Sequence, residues 1–160
     1  MKLKLLAVGT RMPSWVETGF EEYRKRMPVE LKLDLIEIPL SPKGKDSSNP
    51  SKENQGQAIL KAINKQDKVI ALDVLGKSMS TESLATQLSS WQMSGQDICL
   101  LIGGPDGLST ECLQRADMKW SLSDLTLPHP LVRVLLMEQL YRAWTINKNH
   151  PYHRSSGNRS

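Results

Sequence analysis

Apolar residues along the chain concentrate in five short runs, at residues 3–8, 31–38, 69–72, 98–102 and, more weakly, 120–122. Runs of this length predict buried strands. The stretches between several of them carry apolar residues at helical spacing. This alternation of strand and helix is typical of the α/β class. For a chain of 160 residues, we expect one domain over residues 1–160.

Polar residues mark where the helices between these strands begin. Ser14 with Glu17 predicts a capping box, Ser80 precedes apolar residues at helical spacing, and Ser109 opens a short helix. Another helix follows Asn49 and Pro50, and the stretch 39–51 is predicted to be a surface loop.

The last predicted helix, over residues 131–147, has two apolar stripes. One comprises Val134, Met137, Tyr141 and Trp144, and the other comprises Val132, Leu136 and Ala143. A helix at the end of a small domain buries one stripe in its own core, so the second favours an identical subunit as partner. The alternative is a helix sandwiched entirely within the monomer.

Three loops rich in glycine and proline, at 75–77, 103–107 and 127–130, each follow a predicted strand. The carboxyl ends of parallel strands lie on one edge of a sheet, so these loops are expected to meet around one pocket. Glycines at 103, 104 and 107 let main chain approach a ligand closely, and Pro105 stiffens the loop.

Cysteine usage, sequence motifs and charge argue against several classes of protein and indicate a class of partner. Cys99 and Cys112 lack metal-ligand spacing and are predicted to be buried thiols of a cytoplasmic protein, with no metal and no membrane segment. No GxGxxG follows the first strand and no GxxxxGK[ST] occurs, which argues against dinucleotide dehydrogenases and P-loop enzymes. Residues 131–160 carry five basic groups and one acidic group, which suggests a polyanionic partner at that end.

Residues 149–154 form a basic, aromatic tail. Tyr152 offers a face for stacking a nucleobase and Arg154 suits a phosphate, although a terminal tail with a tyrosine is usually only a tail.

Four ordered motifs make the sequence similar to a known family. They are IGGPDGL at 102–108, SLSDLTLPHPLVR at 121–133, YRAW at 141–144 and NHPYHR at 149–154, with LAVGT at 6–10 and Gly44-Lys45 in addition. Together they resemble the RlmH family of bacterial SPOUT-class methyltransferases, which methylate a pseudouridine of 23S ribosomal RNA. The chain continues past Arg154 to Ser160, whereas family members tend to end near Arg154.

The resemblance implies an α/β fold with a mostly parallel sheet, helices on both faces and a C-terminal trefoil knot, in a cytoplasmic homodimer. It also implies that S-adenosylmethionine binds in the knot. The cofactor positions carried over are Leu72, Asp73, Gly103, Gly104, Ser123, Asp124, Leu125, Thr126, Leu127 and Pro128.

The implied reaction is methyl transfer to N3 of pseudouridine in the large subunit or the assembled ribosome, with residues 149–160 contributing to the active site. His153 is the candidate acceptor of the N3 proton, directly or through a water. Arg154 is expected to stabilise the developing anion or grip a phosphate, and Tyr152 to hold the base. His129 is expected to shape its turn with a backbone hydrogen bond. The competing hypotheses are a knotted transfer-RNA methyltransferase and a non-catalytic dimeric RNA-binding protein.

Overall fold

The protein's structure, a computed structural model, describes residues 1–40 and 49–153, with side chains from residue 52 onward in the second range. Strands and helices alternate as β1 (Leu3–Val8), α1 (Ser14–Arg24), β2 (Leu33–Ile38), α2 (Asn49–Lys61), β3 (Lys68–Ser78), α3 (Thr81–Ser94), β4 (Ile98–Ile102), α4 (Thr110–Arg115), β5 (Met118–Ser121) and α5 (His129–Asn147). A turn of 3₁₀ helix, Val29–Leu31, leads into β2, so that strand begins two residues later than predicted. The motif residues Gly44, Lys45 and Arg154 lie outside the described residues.

The strands form one parallel sheet in the order β2-β1-β4-β3-β5. Alternate residues of each strand point to opposite faces, so two apolar clusters form. Leu5 and Leu100 pack with α1, α3 and α5 on one face, whereas Leu6 and Leu101 pack with α2 and α4 on the other. The α/β class, the parallel sheet and the helices on both faces are therefore confirmed.

Two of the three predicted helix caps are formed. The Ser80 hydroxyl accepts the Ser83 N–H at 3.0 Å, and the Ser109 hydroxyl accepts the Cys112 N–H at 3.2 Å. The predicted capping box at Ser14 is wrong. Ser14 is the first residue of α1, and the N-cap is Pro13, whose carbonyl accepts the Val16 N–H at 2.9 Å. Because the proline carbonyl begins the helix, no side-chain cap is made there.

The predicted end of the third strand at Leu72 is also wrong, because β3 continues to Ser78. Leu72 and Lys77 both lie opposite Trp120 of β5, so residues 73–76 leave the ladder as a bulge and pairing then resumes. The predicted loop at 75–77 thus lies partly within this bulge, and the interruption by Gly76 marked an irregularity inside the strand rather than its end.

Both apolar stripes of α5 are partly covered within the chain, because Val132, Val134 and Trp144 keep intermediate exposure. Leu136, Met137 and Ala143 have no exposed surface, and Tyr141 is 6% exposed. The helix lies between α1 and α3 against the sheet, so packing within the chain accounts for most of the pattern. Cys99 and Cys112 are buried free thiols, as predicted. Across the two described ranges, every helix is too short or too polar to cross a bilayer.

Candidate active site

A cavity of about 350 Å³ opens at the carboxyl edge of the sheet. Its walls are residues 72–74 of β3, the loop at 102–107 without Asp106, the segment 120–127 without Asp124, and His129 and Val132 of α5. The predicted convergence is confirmed for the loops at 103–107 and 127–130, whereas residues 75–77 do not line the cavity and residues 72–74 of β3 take their place. The volume lies in the range of small-molecule sites.

The loop at 103–107 folds tightly back on itself. The Gly107 N–H donates to the Gly104 carbonyl at 2.9 Å, and Gly107 has φ +81°, which favours glycine. A Cβ on Gly103 would lie 2.5 Å from the carbonyl carbon of Gly107, and one on Gly104 would lie 2.9 Å from Val8 Cγ1. The loop therefore has no room for side chains at these positions and presents main chain to the cavity.

The opposite wall is held by short hydrogen bonds around Ser123. The Ser121 hydroxyl donates to the Ser123 carbonyl at 3.0 Å, and the Ser123 hydroxyl accepts the Leu125 N–H at 2.9 Å. These contacts fix the segment between β5 and α5 although it has no regular structure. Leu125 remains 73% exposed at the rim of the cavity.

The predicted cofactor positions fall on this cavity with two exceptions. Leu72, Asp73, Gly103, Gly104, Ser123, Leu125, Thr126 and Leu127 line it. Asp124 is exposed and Pro128 is the N-cap of α5, where its carbonyl accepts the Leu131 N–H at 3.0 Å. The sequence reasoning missed Val74 and Trp120, which also line the cavity. Their positions in the sequence could have indicated them, because Val74 lies just after the predicted third strand and Trp120 begins the weakest predicted strand.

His129 lines the cavity from the first turn of α5. Its Nδ1 is buried with no hydrogen-bond partner in the described part of the chain, so the predicted backbone hydrogen bond is not formed. Burial lowers the pKa of His129, and the nearby positive charge of Arg133 lowers it further. The imidazole is therefore biased toward its neutral form.

Arg133 is a buried residue whose role the sequence reasoning did not identify. It is 2% exposed, and its Nη2 donates to the Gly9 carbonyl at 2.8 Å. Its Nη1 lies 2.6 Å from Glu37 Oε2. These bonds connect α5 to the ends of β1 and β2, and so fix the helix that carries His129.

The tail residues lie at the other end of α5. Residues 151–153 form a helical turn, in which His150 Nδ1 accepts the Tyr152 N–H at 3.1 Å. Because α5 has 19 residues, it spans about 28 Å between His129 and the tail. Within one chain, the structure therefore does not bring Tyr152 and His153 to the cavity.

Tyr152 is held by contacts from α5. Its hydroxyl donates to Glu138 Oε2 at 2.7 Å, its ring centroid is 4.8 Å from that of Tyr141, and the Arg142 guanidinium carbon lies 4.7 Å from the ring centroid. Burial raises the pKa of Tyr152, and its hydrogen bond to Glu138 raises it further. The phenol thus stays protonated and presents a fixed aromatic face.

His153 is held on both ring nitrogens. Its Nε2 lies 2.9 Å from Glu82 Oε2 of α3, and its Nδ1 lies 3.3 Å from Arg142 Nη1. The Glu82 carboxylate accepts a backbone N–H and contacts His153, and both lower its pKa. Glu82 is thus an anionic partner for the histidine.

The chain is similar to known proteins both in sequence and in fold. The family model described as predicted SPOUT methyltransferase matches residues 1–153. Two similar curated relatives are both named ribosomal RNA large subunit methyltransferase H. The protein of Saccharophagus degradans is 58% identical over 96% of this chain and 100% of its own length, and that of a Marinomonas species is 55% identical with the same coverage.

A solved structure supports the fold independently. The structure of a probable methylase family protein from Haemophilus influenzae superimposes with a TM-score of 0.57 at 15% identity, covering 94% of this chain and 69% of that one. Fold and cavity together define a parallel α/β protein with a cavity at the carboxyl edge of its sheet. The chain belongs to the SPOUT methyltransferase family. It is thus an enzyme that uses S-adenosylmethionine as methyl donor.

Proposed function

We propose that this protein transfers a methyl group to N3 of a pseudouridine in 23S ribosomal RNA of the large subunit, in the cytoplasm, with residues 1–160 folded as one domain. The observation that carries the proposal is sequence identity of 55–58% to proteins named ribosomal RNA large subunit methyltransferase H, over 99–100% of their length. The cavity at the sheet edge supports it, since two of the motifs that resemble the family, at 102–108 and 121–133, contribute residues to its walls.

The cavity fits S-adenosylmethionine in size and chemistry. Its volume of about 350 Å³ suits one small molecule, and the glycine loop leaves main chain exposed for adenine and ribose. Among the described residues lining it, Asp73 supplies the one carboxylate, which suits a cationic donor. We propose that Leu72, Asp73, Gly103, Gly104 and residues 123–128 hold the cofactor, with Asp124 and Pro128 shaping the last segment.

The bound cofactor supplies a methyl group activated by the positive sulfonium. The chain contributes alignment, which is worth up to about 7–11 kcal/mol when reacting atoms are held in place. The main-chain walls at 103–104 and 125–127 fix one partner, and Tyr152 is proposed to hold the nucleobase by stacking. His153 is proposed to accept the N3 proton, and Arg154 to stabilise the anion that develops or to grip a phosphate.

The separation of cavity and tail supports a homodimer in which each site draws on two chains. A partner whose α5 crosses this α5 in the opposite sense would bring its tail to this cavity. On α5, Leu131 and Leu135 are partly exposed, and on α1 the Trp15 side chain is 57% exposed. These apolar groups offer a surface that a second copy can cover.

The proposed trefoil knot rests on the same region. The segment 120–127 shares one cavity with the β3 bulge and the loop at 102–107, and α5 then returns between α1 and α3. A crystal structure in which residues 121–131 pass outside the loop at 102–107 would contradict the knot.

Net charge bears on the form of the RNA substrate. The formal charge is only +4, so few phosphates can be neutralised and free RNA would be gripped weakly. We therefore expect a folded substrate, the large subunit or the assembled ribosome.

The test is methyl incorporation from labelled S-adenosylmethionine, with the product nucleoside identified by mass spectrometry. Ribosomes containing the pseudouridine should become labelled, whereas ribosomes with uridine at that position and free transfer RNA should not. Labelling of transfer RNA alone would favour the related knotted enzyme. Cofactor binding by calorimetry without any transfer to ribosomes would overturn the proposed substrate.

A further inference from the structure

The hydrogen bonds around His153 define which of its nitrogens carries a proton. A guanidinium has only donors, so Arg142 Nη1, at 3.3 Å, must donate to His153 Nδ1. Nδ1 therefore uses its lone pair as an acceptor. The proton of the neutral imidazole then lies on Nε2, which donates to Glu82 Oε2 at 2.9 Å.

Arg142 is itself fixed by a neighbouring carboxylate. Its Nε and Nη2 donate to Glu138 Oε2 at 3.0 and 2.7 Å. Gln139 Nε2 donates to Glu138 Oε1 at 2.7 Å, and the side chains of Glu138 and Arg142 are only 14% and 17% exposed. A charge-assisted pair with two donors on one side is stronger and more directional than a single contact. The donor to Nδ1 is thus held in place, whereas Glu82 is 67% exposed.

We propose that Nδ1 is the proton-accepting atom of His153, with Arg142 and Glu82 as positioning residues that set its tautomer. This inference rests on the proposed function. In the free protein the contact from Arg142 to Nδ1 is long for a hydrogen bond, at 3.3 Å, so the nucleobase N3–H can replace it on binding while Arg142 stays on Glu138. Glu82 keeps the proton on Nε2 throughout, the same relation in which a carboxylate orients the histidine of a hydrolytic triad.

The proton transfer balances with these residues alone. The N3–H bond of the nucleobase breaks as its N3–methyl bond forms, and the proton moves to Nδ1 of His153. The resulting imidazolium keeps its Nε2–H on the Glu82 carboxylate, which stabilises the new positive charge. A bound sulfonium donor would give up its positive charge together with the methyl group, so the total charge would be unchanged.

Several charged or titratable groups face this histidine. Arg142 of α5 and Glu82 of α3 contact its ring directly, and Glu138 and Tyr152 contact Arg142 in turn. Tyr23 of α1 contacts Tyr152, and Arg26 lies over the Tyr23 ring. Arg142 is the nearest described cation to the His153 ring. Removing it takes away a charge that opposes protonation, so the acid limb of the rate profile should move to higher pH.

Nitrogen NMR of the ¹⁵N-histidine protein, without substrate, tests the tautomer directly. The wild type should show His153 protonated on Nε2, and Arg142→Met should give a mixture of tautomers. Arg26→Met is a matched control, because Arg26 also pairs with a glutamate four residues earlier and lies over a tyrosine ring. It should leave the His153 signals unchanged. Protonation on Nδ1 in the wild type would overturn the inference.

Rates of methyl transfer to ribosomes against pH give the second readout. For Arg142→Met, the acid limb of kcat should move up by about half a unit to one unit, and Arg142→Lys should restore part of that shift. Glu82→Gln should lower kcat by about tenfold or more with little change in KM for S-adenosylmethionine. An unshifted limb in an active, folded Arg142→Met enzyme would overturn the inference. An inactive wild type with the expected tautomer would instead contradict the proposed function.

Discussion

Leu72 and Lys77, five positions apart in sequence, lie opposite the same residue of β5, Trp120. The four residues between them therefore leave the sheet, and two of them, Asp73 and Val74, line the cavity together with Leu72, while pairing with β5 resumes beyond them. A bulge inside a strand positions a binding wall more firmly than a free loop, because hydrogen bonds of the sheet hold it on both sides.

Gly76→Ala should disturb this bulge. An added Cβ would lie 2.6 Å from the carbonyl carbon of Lys119 and 2.7 Å from the Trp120 nitrogen, and both are main-chain atoms that cannot move aside cheaply. We expect a loss of about 1–3 kcal/mol in the free energy of unfolding and weaker S-adenosylmethionine binding. Chemical denaturation and calorimetry measure the two effects.

The neighbouring variant Lys77→Ala is the control for this substitution, since the Lys77 side chain is exposed. Its stability should stay within about 0.5 kcal/mol of the wild type. If Gly76→Ala were equally mild, close packing against β5 would not be what requires glycine there.

The sequence predicts the sheet well because its strands are signalled locally. The run at 98–102 is apolar throughout and all five residues of β4 are buried. The bulge in β3 has no such signal. The exposed Val74 and Leu75 and the small Gly76 are typical of a strand end, and only pairing with β5, some forty residues later, carries the strand on. Long-range pairing of this kind is not encoded in local periodicity.

The same distinction applies to the candidate site. The cavity follows from the topology of parallel strands, so its loops could be placed from sequence. The position of His153 depends instead on α5, whose length separates it from His129 by about 28 Å. The partners of Arg133, at Gly9 and Glu37, are likewise remote in sequence and unmarked by any motif.

Mixing two inactive variants tests whether each site draws on two chains. Gly103→Ala should abolish cofactor binding, because its Cβ would lie 2.5 Å from Gly107 main chain. His153→Ala should bind cofactor without transferring methyl. In mixed dimers, the intact cavity of one chain meets the intact tail of the other, so random re-association should restore about a quarter of wild-type activity.

Mixing each variant with itself is the control and should restore nothing. Sedimentation gives the oligomeric state of every sample. Sedimentation of a tagged chain shows whether mixed dimers have formed. If they have formed and the mixed sample still regains no activity, the cavity and the tail of a working site lie in the same chain.

The ion pair of the buried Arg133 with the exposed Glu37 should respond asymmetrically to mutation. Glu37→Ala leaves a guanidinium that is 2% exposed without its carboxylate, which should cost about 3–5 kcal/mol. In Arg133→Leu, water can hydrate Glu37, because its side chain is 35% exposed. Only the Gly9 carbonyl loses its hydrogen-bond donor, so the free energy of unfolding should fall by about 1–3 kcal/mol. Denaturant unfolding of both variants measures the order, and a larger loss for Arg133→Leu would contradict it.

His129 should make stability depend on pH. Burial and the charge of Arg133 hold its folded pKa below the ordinary value of about 6.5. The unfolded chain therefore binds the proton more readily, and folding is favoured most above that value. As pH falls below about 6.5 toward the folded pKa, this contribution is lost progressively.

His129→Leu should flatten the decline in unfolding free energy over that window. His150→Ala is the control, because that exposed histidine has no comparable burial, and its profile should keep the wild-type slope. An unchanged slope in His129→Leu would mean that the neutral imidazole is not what the fold favours.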